Sequence, residues 1–169
     1  MFGLTTLGFI HTLISLVALA AALVALLRDK AILPNRTVGK LYIWATVLTC
    51  LTGFGIFEHG GFGKPHVLGI VTLLVLGLAA WAGKSRLLGR AAPYVETVSY
   101  SLTVFFHMIP GVTETFTRLP SGAPLFSSPE DPKLEKVVGV IFLLFLIGTT
   151  LQLRRLRAAR GSTSRPVSA

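Results

Sequence analysis

An all-helical transmembrane bundle of five spans is the fold class this sequence predicts, and three observations predict it. Windows of about 20 apolar residues, each long enough to cross a hydrocarbon layer of roughly 30 Å, recur five times along the chain. Hydrophobic residues make up 52% of the 169 and charged residues only 14%, a balance far from that of a soluble domain. Twelve of the 16 positive charges fall on alternate connections between the apolar windows or after the last of them. The predicted spans are 4–27, 41–57, 66–82, 93–116 and 137–153, within a single domain 1–153 made of a four-helix core and a peripheral fifth helix.

Span one could be read as the apolar region of a signal peptide. Signal peptides open on basic residues, however, whereas residues 1–10 carry no charge and the positives follow the span, so an uncleaved helix is expected. Its Gly8, His11, Ser15, Ala18, Ala22 and Ala25 recur at helical spacing, and such small residues mark faces where helices approach closely in lipid. Span two repeats the pattern with Tyr42, Thr46, Thr49 and Gly53, and span three with Gly69, Gly77 and Ala80. The turn "HGGFGKP" between them is short enough to make spans two and three antiparallel neighbours. Cys50 is the only cysteine, so no disulfide framework exists and it is read as a small core residue.

Span four differs from the others. Glu96, Tyr100, Thr103, His107, Gly111 and Glu114 follow one another at three- and four-residue spacing, so the polar groups form one stripe on one helical face. A charge near the bilayer centre costs on the order of 3 kcal/mol, so that stripe must face the bundle interior or a wet cavity. Pro110 removes a backbone donor near His107 and is expected to kink the helix. Span five, "VVGVIFLLFLIGTTLQL", has no ionisable residue and is read as peripheral. The following residues, 154–169, are read as a basic, disordered tail.

Of the 16 basic residues, 12 lie at Arg28, Lys30, Arg36, Lys40, Lys84, Arg86, Arg90, Arg154, Arg155, Arg157, Arg160 and Arg165. Those positions all belong to one side of a five-span protein. The positive-inside rule makes that side cytoplasmic, with the N-terminus outside and the C-terminus inside. The net charge of +9 therefore reports orientation, and contact of the Arg cluster with anionic headgroups, rather than nucleic-acid binding. No nucleotide loop or nucleophile with its base is present, and the loops are too short for a separate catalytic domain.

This topology brings all four histidines to the outer half of the membrane. His11 lies roughly 9 Å and His107 roughly 12 Å inside the outer boundary, at a rise of about 1.5 Å per residue. His59 and His66 flank the outer turn and border the same layer. Three functional readings follow. His11 and His107 could ligate haem b between facing helices, with His59 and His66 nearby, Gly8, Gly53, Gly69 and Gly111 giving the porphyrin room, and Lys64 and Arg118 beside its propionates. The protein would then act in electron transfer or join other membrane redox subunits. Alternatively His11, His59, His66, His107 and Glu114 could hold a transition metal, zinc, copper or iron, in an enzyme or carrier, although no HExxH-type spacing is present. In the third reading the histidines serve only to join helices in a non-catalytic structural subunit. Glu96, Tyr100, Thr103 and Glu114 are the expected surrounding or proton-conducting groups.

The elements "FIHTLISLVALAAALVALL", "NRTVGKLYIWATVLTCLTGFGIF" and "KPHVLGIVTLLVLGLAAW", followed by His107, carry a family resemblance over about residues 8–116. They resemble a family of small predicted bacterial inner-membrane proteins classed as a domain of unknown function. The resemblance implies a compact helical membrane domain with histidines in spans one, three and four, and no established activity. In that family a histidine often opens the "R..GKLY" element; here Asn35 takes the position.

Overall fold

The computed structural model describes residues 5–57, 61–119 and 123–163. The described chain is all-helical, with helices α1 (Thr6–Arg28), α2 (Thr37–Gly53), α3 (Lys64–Ala82), α4 (Ala92–Arg118) and α5 (Pro132–Thr163), and one short 3-10 turn, Gly89–Ala91, leading into α4. Three of the helices, α1, α3 and α5, are long and apolar enough to cross a membrane. At 17 residues, α2 is shorter than these three, while α4 is long enough but diluted by its polar stripe. Large apolar side chains cover the outside: Leu23, Leu74 and Leu143 are all more than half exposed. Such a surface suits lipid as its solvent.

The first four helices close a ring. Helix α1 packs most extensively on α2 and α3 on α4, and the ring is completed by α2 against α3 and α1 against α4. Small residues allow this closeness, because Ala18, Ala22 and Ala25 of α1 are at most 1% exposed and the neighbouring backbone fills what a larger side chain would occupy. Gly39 has a more specific reason to be glycine, since a Cβ there would collide with the Leu33 carbonyl oxygen of the preceding loop. That close approach folds the α1–α2 connection back onto the start of α2.

Helix α5 lies outside the ring on α4, and only 11% of its apolar window is buried, against 22% and 28% for α1 and α3. Phe105 of α4 stacks with Phe145 of α5 and meets Phe142 at a tilt, at 5.6 and 5.4 Å between ring centres. The contact is not purely apolar. Gln152 of α5 accepts from the Ser101 hydroxyl at 2.7 Å and donates to the Lys30 carbonyl at 3.0 Å, so one amide ties α5 both to α4 and to the α1–α2 loop. The helix also continues beyond the predicted end at 153, through the basic stretch to Thr163; the reading of that stretch as disordered is corrected by this extension, and residues 164–169 lie outside the described residues. Helix-forming Leu, Arg and Ala residues carry it on. The α4 helix likewise runs unbroken through Pro110.

Asp131 starts α5 just ahead of Pro132. Its carboxylate accepts from the Lys133 N–H at 2.9 Å and from the Ser127 N–H at 3.2 Å, satisfying donors that a helix start leaves open. Those bonds, the Lys133 amide first, hold the carboxyl below its ordinary value of 3.8. A depressed carboxyl stabilises the fold fully above the ordinary value, and that contribution is lost as the pH falls through the lower folded value. Asp131→Asn keeps a capping side chain but cannot titrate. Thermal unfolding of the variant in detergent is expected to show weaker acid sensitivity than the wild type below about pH 4; identical acid profiles would show that this cap is not an acid-labile element.

Candidate functional site

The polar stripe of α4 faces inward, as its cost in lipid demands. Tyr100, Thr103 and His107 are all buried, at 2%, 0% and 5% exposure, while Glu96 is half-buried at one end and Glu114 exposed at the other. The interior end of the stripe is anchored first. The Thr103 hydroxyl donates to the Tyr100 carbonyl at 2.8 Å, which leaves its oxygen to accept from the Tyr42 hydroxyl of α2, also at 2.8 Å. Two fully buried side chains thus join α2 to α4 across the middle of the ring.

The histidines form the next layer outward. On α1, His11 and Ser15 are one turn apart on the same face. His11 Nδ1 lies 3.0 Å from the Thr52 hydroxyl of α2, and the ring rests on Gly53, where a Cβ would come within 3.1 Å of its Cε1. Ser15 Oγ lies 3.2 Å from His107 Nε2 of α4. One face of α1 therefore uses two adjacent polar residues to hold two different helices.

Thr52 also determines which His11 nitrogen carries the proton. Its hydroxyl lies 2.8 and 3.1 Å from the Leu48 and Thr49 carbonyls, and with its one proton given to the nearer of them it meets the imidazole as an acceptor. A neutral His11 must then be protonated on Nδ1 and present the lone pair of Nε2. His107 lies near enough to His11 for their charges to interact, and Glu114 is within electrostatic reach of His11. Glu114 itself pairs with Arg118 at 2.6 Å on the same helix.

Not every predicted member joins this layer. His66 is buried, at 6% exposure, with Nδ1 accepting from the Gly63 N–H at 3.2 Å and its ring 5.0 and 5.2 Å from those of Phe57 and Phe62. It is a cap for the start of α3 rather than a residue at the wet boundary. His59 lies outside the described residues. Among the described residues no three His, Cys, Asp or Glu side chains come together to hold a metal ion. The expected level pairing of His11 and His107 is also modified. His107 meets Ser15, one turn of about 6 Å further in than His11, because α1 and α4 pack in that register.

The residues expected to hold a haem are engaged with one another. Nε2 of His107, a nitrogen available for axial ligation, is occupied by Ser15. The room expected at three glycines is taken by the chain itself: His11 covers Gly53, Phe54 covers Gly69 and Leu19 covers Gly111. Arg118, expected near the propionates, pairs with Glu114. Ser15 and Thr52 were the partners that sequence reasoning missed. Ser15 stood among small packing residues and Thr52 lies just off the predicted polar face of α2, and neither position reveals its hydrogen bond until the helices are in register.

Comparison with protein-family models, with curated proteins and with solved structures finds no match for this chain. The tautomer assignment makes the site testable by itself. Nitrogen NMR of histidine-labelled protein is expected to show a neutral His11 protonated at Nδ1, and Thr52→Val, which removes the acceptor, is expected to shift His11 towards the other tautomer. The same variant is expected to lose about 0.6 kcal/mol, the average for an interhelical hydrogen bond in lipid, measured by unfolding in mixed micelles. A His11 spectrum unchanged in Thr52→Val would show that the hydroxyl does not set the tautomer.

Proposed function

We propose that this protein is a multi-pass protein of the bacterial inner membrane, crossing it five times with its N-terminus outside, and that His11 and His107 form a proton-handling site in its outer half. The orientation rests on the alternate placement of the basic residues. Reporter fusions after Lys30, Lys84 and Arg160 are expected to read cytoplasmic, and fusions at Gly61 and Ser121 extracytoplasmic. One inverted fusion would reject the five-span arrangement.

A single observation carries the proton-handling reading: a buried imidazole bonded to Ser15 lies within electrostatic reach of a second imidazole whose Nδ1 is committed to Thr52. Imidazole is the side chain whose charge changes most readily near neutral pH, and ionisable groups inside a membrane mark proton or substrate paths far more often than they serve packing. Glu114, exposed and within electrostatic reach of His11, is the group that would meet water first. In this role the protein is a membrane subunit rather than a self-contained enzyme, and a redox or transport partner would use the protons it holds.

Proton binding is the test. Detergent-solubilised protein titrated from neutral pH down to about pH 3 is expected to take up fewer protons after His11→Ala or His107→Ala. Glu114→Gln is expected to slow the exchange more than it changes the amount bound. Uptake unchanged in both histidine variants, with only stability lowered, would leave the histidines as helix-joining groups. A Soret band in the same preparation would return the pair to haem ligation.

A further inference from the structure

The basic end of α5 encloses a second, separate feature. A groove of about 450 Å³ lies between α5 and the start of α4, lined by Tyr94, Thr150, Leu153, Arg154 and Arg157, a volume within the range of roughly 300–1,000 Å³ typical of ligand sites. The four α5 residues recur at three- and four-residue spacing, so one face of that helix forms the wall. The polar and apolar parts are segregated. Thr150 and Leu153 end the apolar run of α5, and Arg154 and Arg157 begin its basic stretch.

Arg160, one turn beyond, fixes the far end. Its Nη1 donates to the Arg90 carbonyl at 2.6 Å, and its guanidinium lies 5.0 Å from the centre of the Tyr94 ring, so α5 is tied to the beginning of α4 at that end of the groove. Arg154 and Arg157 have no such commitment: among the described residues neither forms an ion pair. Two guanidinium groups without counter-charges thus border a cleft at the point where the helix passes from apolar to basic. Each guanidinium offers a planar fork of donors matched to phosphate oxygens.

We propose that this groove binds the phosphate of an anionic glycerophospholipid, with Arg154 and Arg157 on the headgroup and an acyl chain lying along Leu153 and the exposed apolar face of α5. Charge complementarity selects the headgroup. The segregation of the lining selects a lipid over a soluble anion, because an ion in water has no use for the apolar half. The site depends on the membrane-spanning reading of α5 but not on the histidine pair, so loss of proton binding would leave it intact.

The experiment compares full-length protein in nanodiscs of phosphatidylcholine with and without phosphatidylglycerol, and counts lipids retained by native mass spectrometry after release into detergent. Wild-type protein is expected to retain phosphatidylglycerol selectively. Arg154→Gln and Arg157→Gln are each expected to weaken retention about fivefold, equivalent to roughly 1 kcal/mol per arginine near a charged surface. Arg155→Gln removes the same charge from a residue outside the groove lining and is expected to have little effect. Equal weakening by Arg155→Gln would reduce the site to diffuse attraction and overturn it. Displacement of the lipid by inorganic phosphate at comparable concentration would also overturn it, since the occupant would then be a soluble anion. Helical content of each variant, measured by circular dichroism, separates loss of binding from loss of fold.

Discussion

The arrangement of the bundle depends on one constraint: polar groups on a helix in lipid must find their partners inside the protein. Helix α4 carries more of them than any other, and the rest of the ring is organised to receive them. Tyr42 meets Thr103 from α2, Ser15 meets His107 from α1, and Gln152 meets Ser101 from α5. Helices α1, α2 and α5 each contribute one hydrogen-bonding side chain, while α3 meets α4 by packing. Packing of small residues brings the helices close, but these pairs fix their rotation and depth, because a shift of one residue along α1 would part Ser15 from His107.

The same constraint explains why the histidines take different roles. His66 is held through Nδ1 by its own helix start and packed by two aromatic rings, while its Nε2 is buried without a hydrogen-bond partner among the described residues, and this fixes a local turn. His11 and His107 are satisfied only across helices. Their protonation is therefore coupled to the packing of α1 against α2 and α4, and any proton placed on either ring acts on that packing. A group of this kind senses both charge and helix position, which is the physical basis for reading the pair as functional.

Much of this was legible in the sequence. The inward face of α4 followed from the spacing of Tyr100, Thr103 and His107, the peripheral place of α5 from its apolar run, and the close face of α1 from its alanines. What remained hidden depended on register. Periodicity shows which residues share a face but not which residue on the neighbouring helix lies opposite, so Ser15, rather than His11, was found against His107. Gln152 was visible as the one amide in an apolar run, and its meaning emerged only with the Lys30 carbonyl beside it. The helical course of 154–163 was hidden for a different reason, since basic charge reads as solvated whether or not the backbone is helical.

Between the Tyr42–Thr103 pair and the histidine layer lie two α2 hydroxyls, Thr46 and Thr49, which are buried and find no hydrogen-bond partner among the described residues. They occupy the face of α2 between Tyr42 and Gly53. Thr46 lies one turn from Tyr42, and Thr49 one turn from Gly53 on which the His11 ring rests, so the polar face of α2 runs from the tyrosine pair to the histidine layer. The interior face of α2 is therefore polar over the same depth as the stripe of α4 that it faces across the ring, so both helices place inside the bundle the hydroxyl groups that lipid would not solvate.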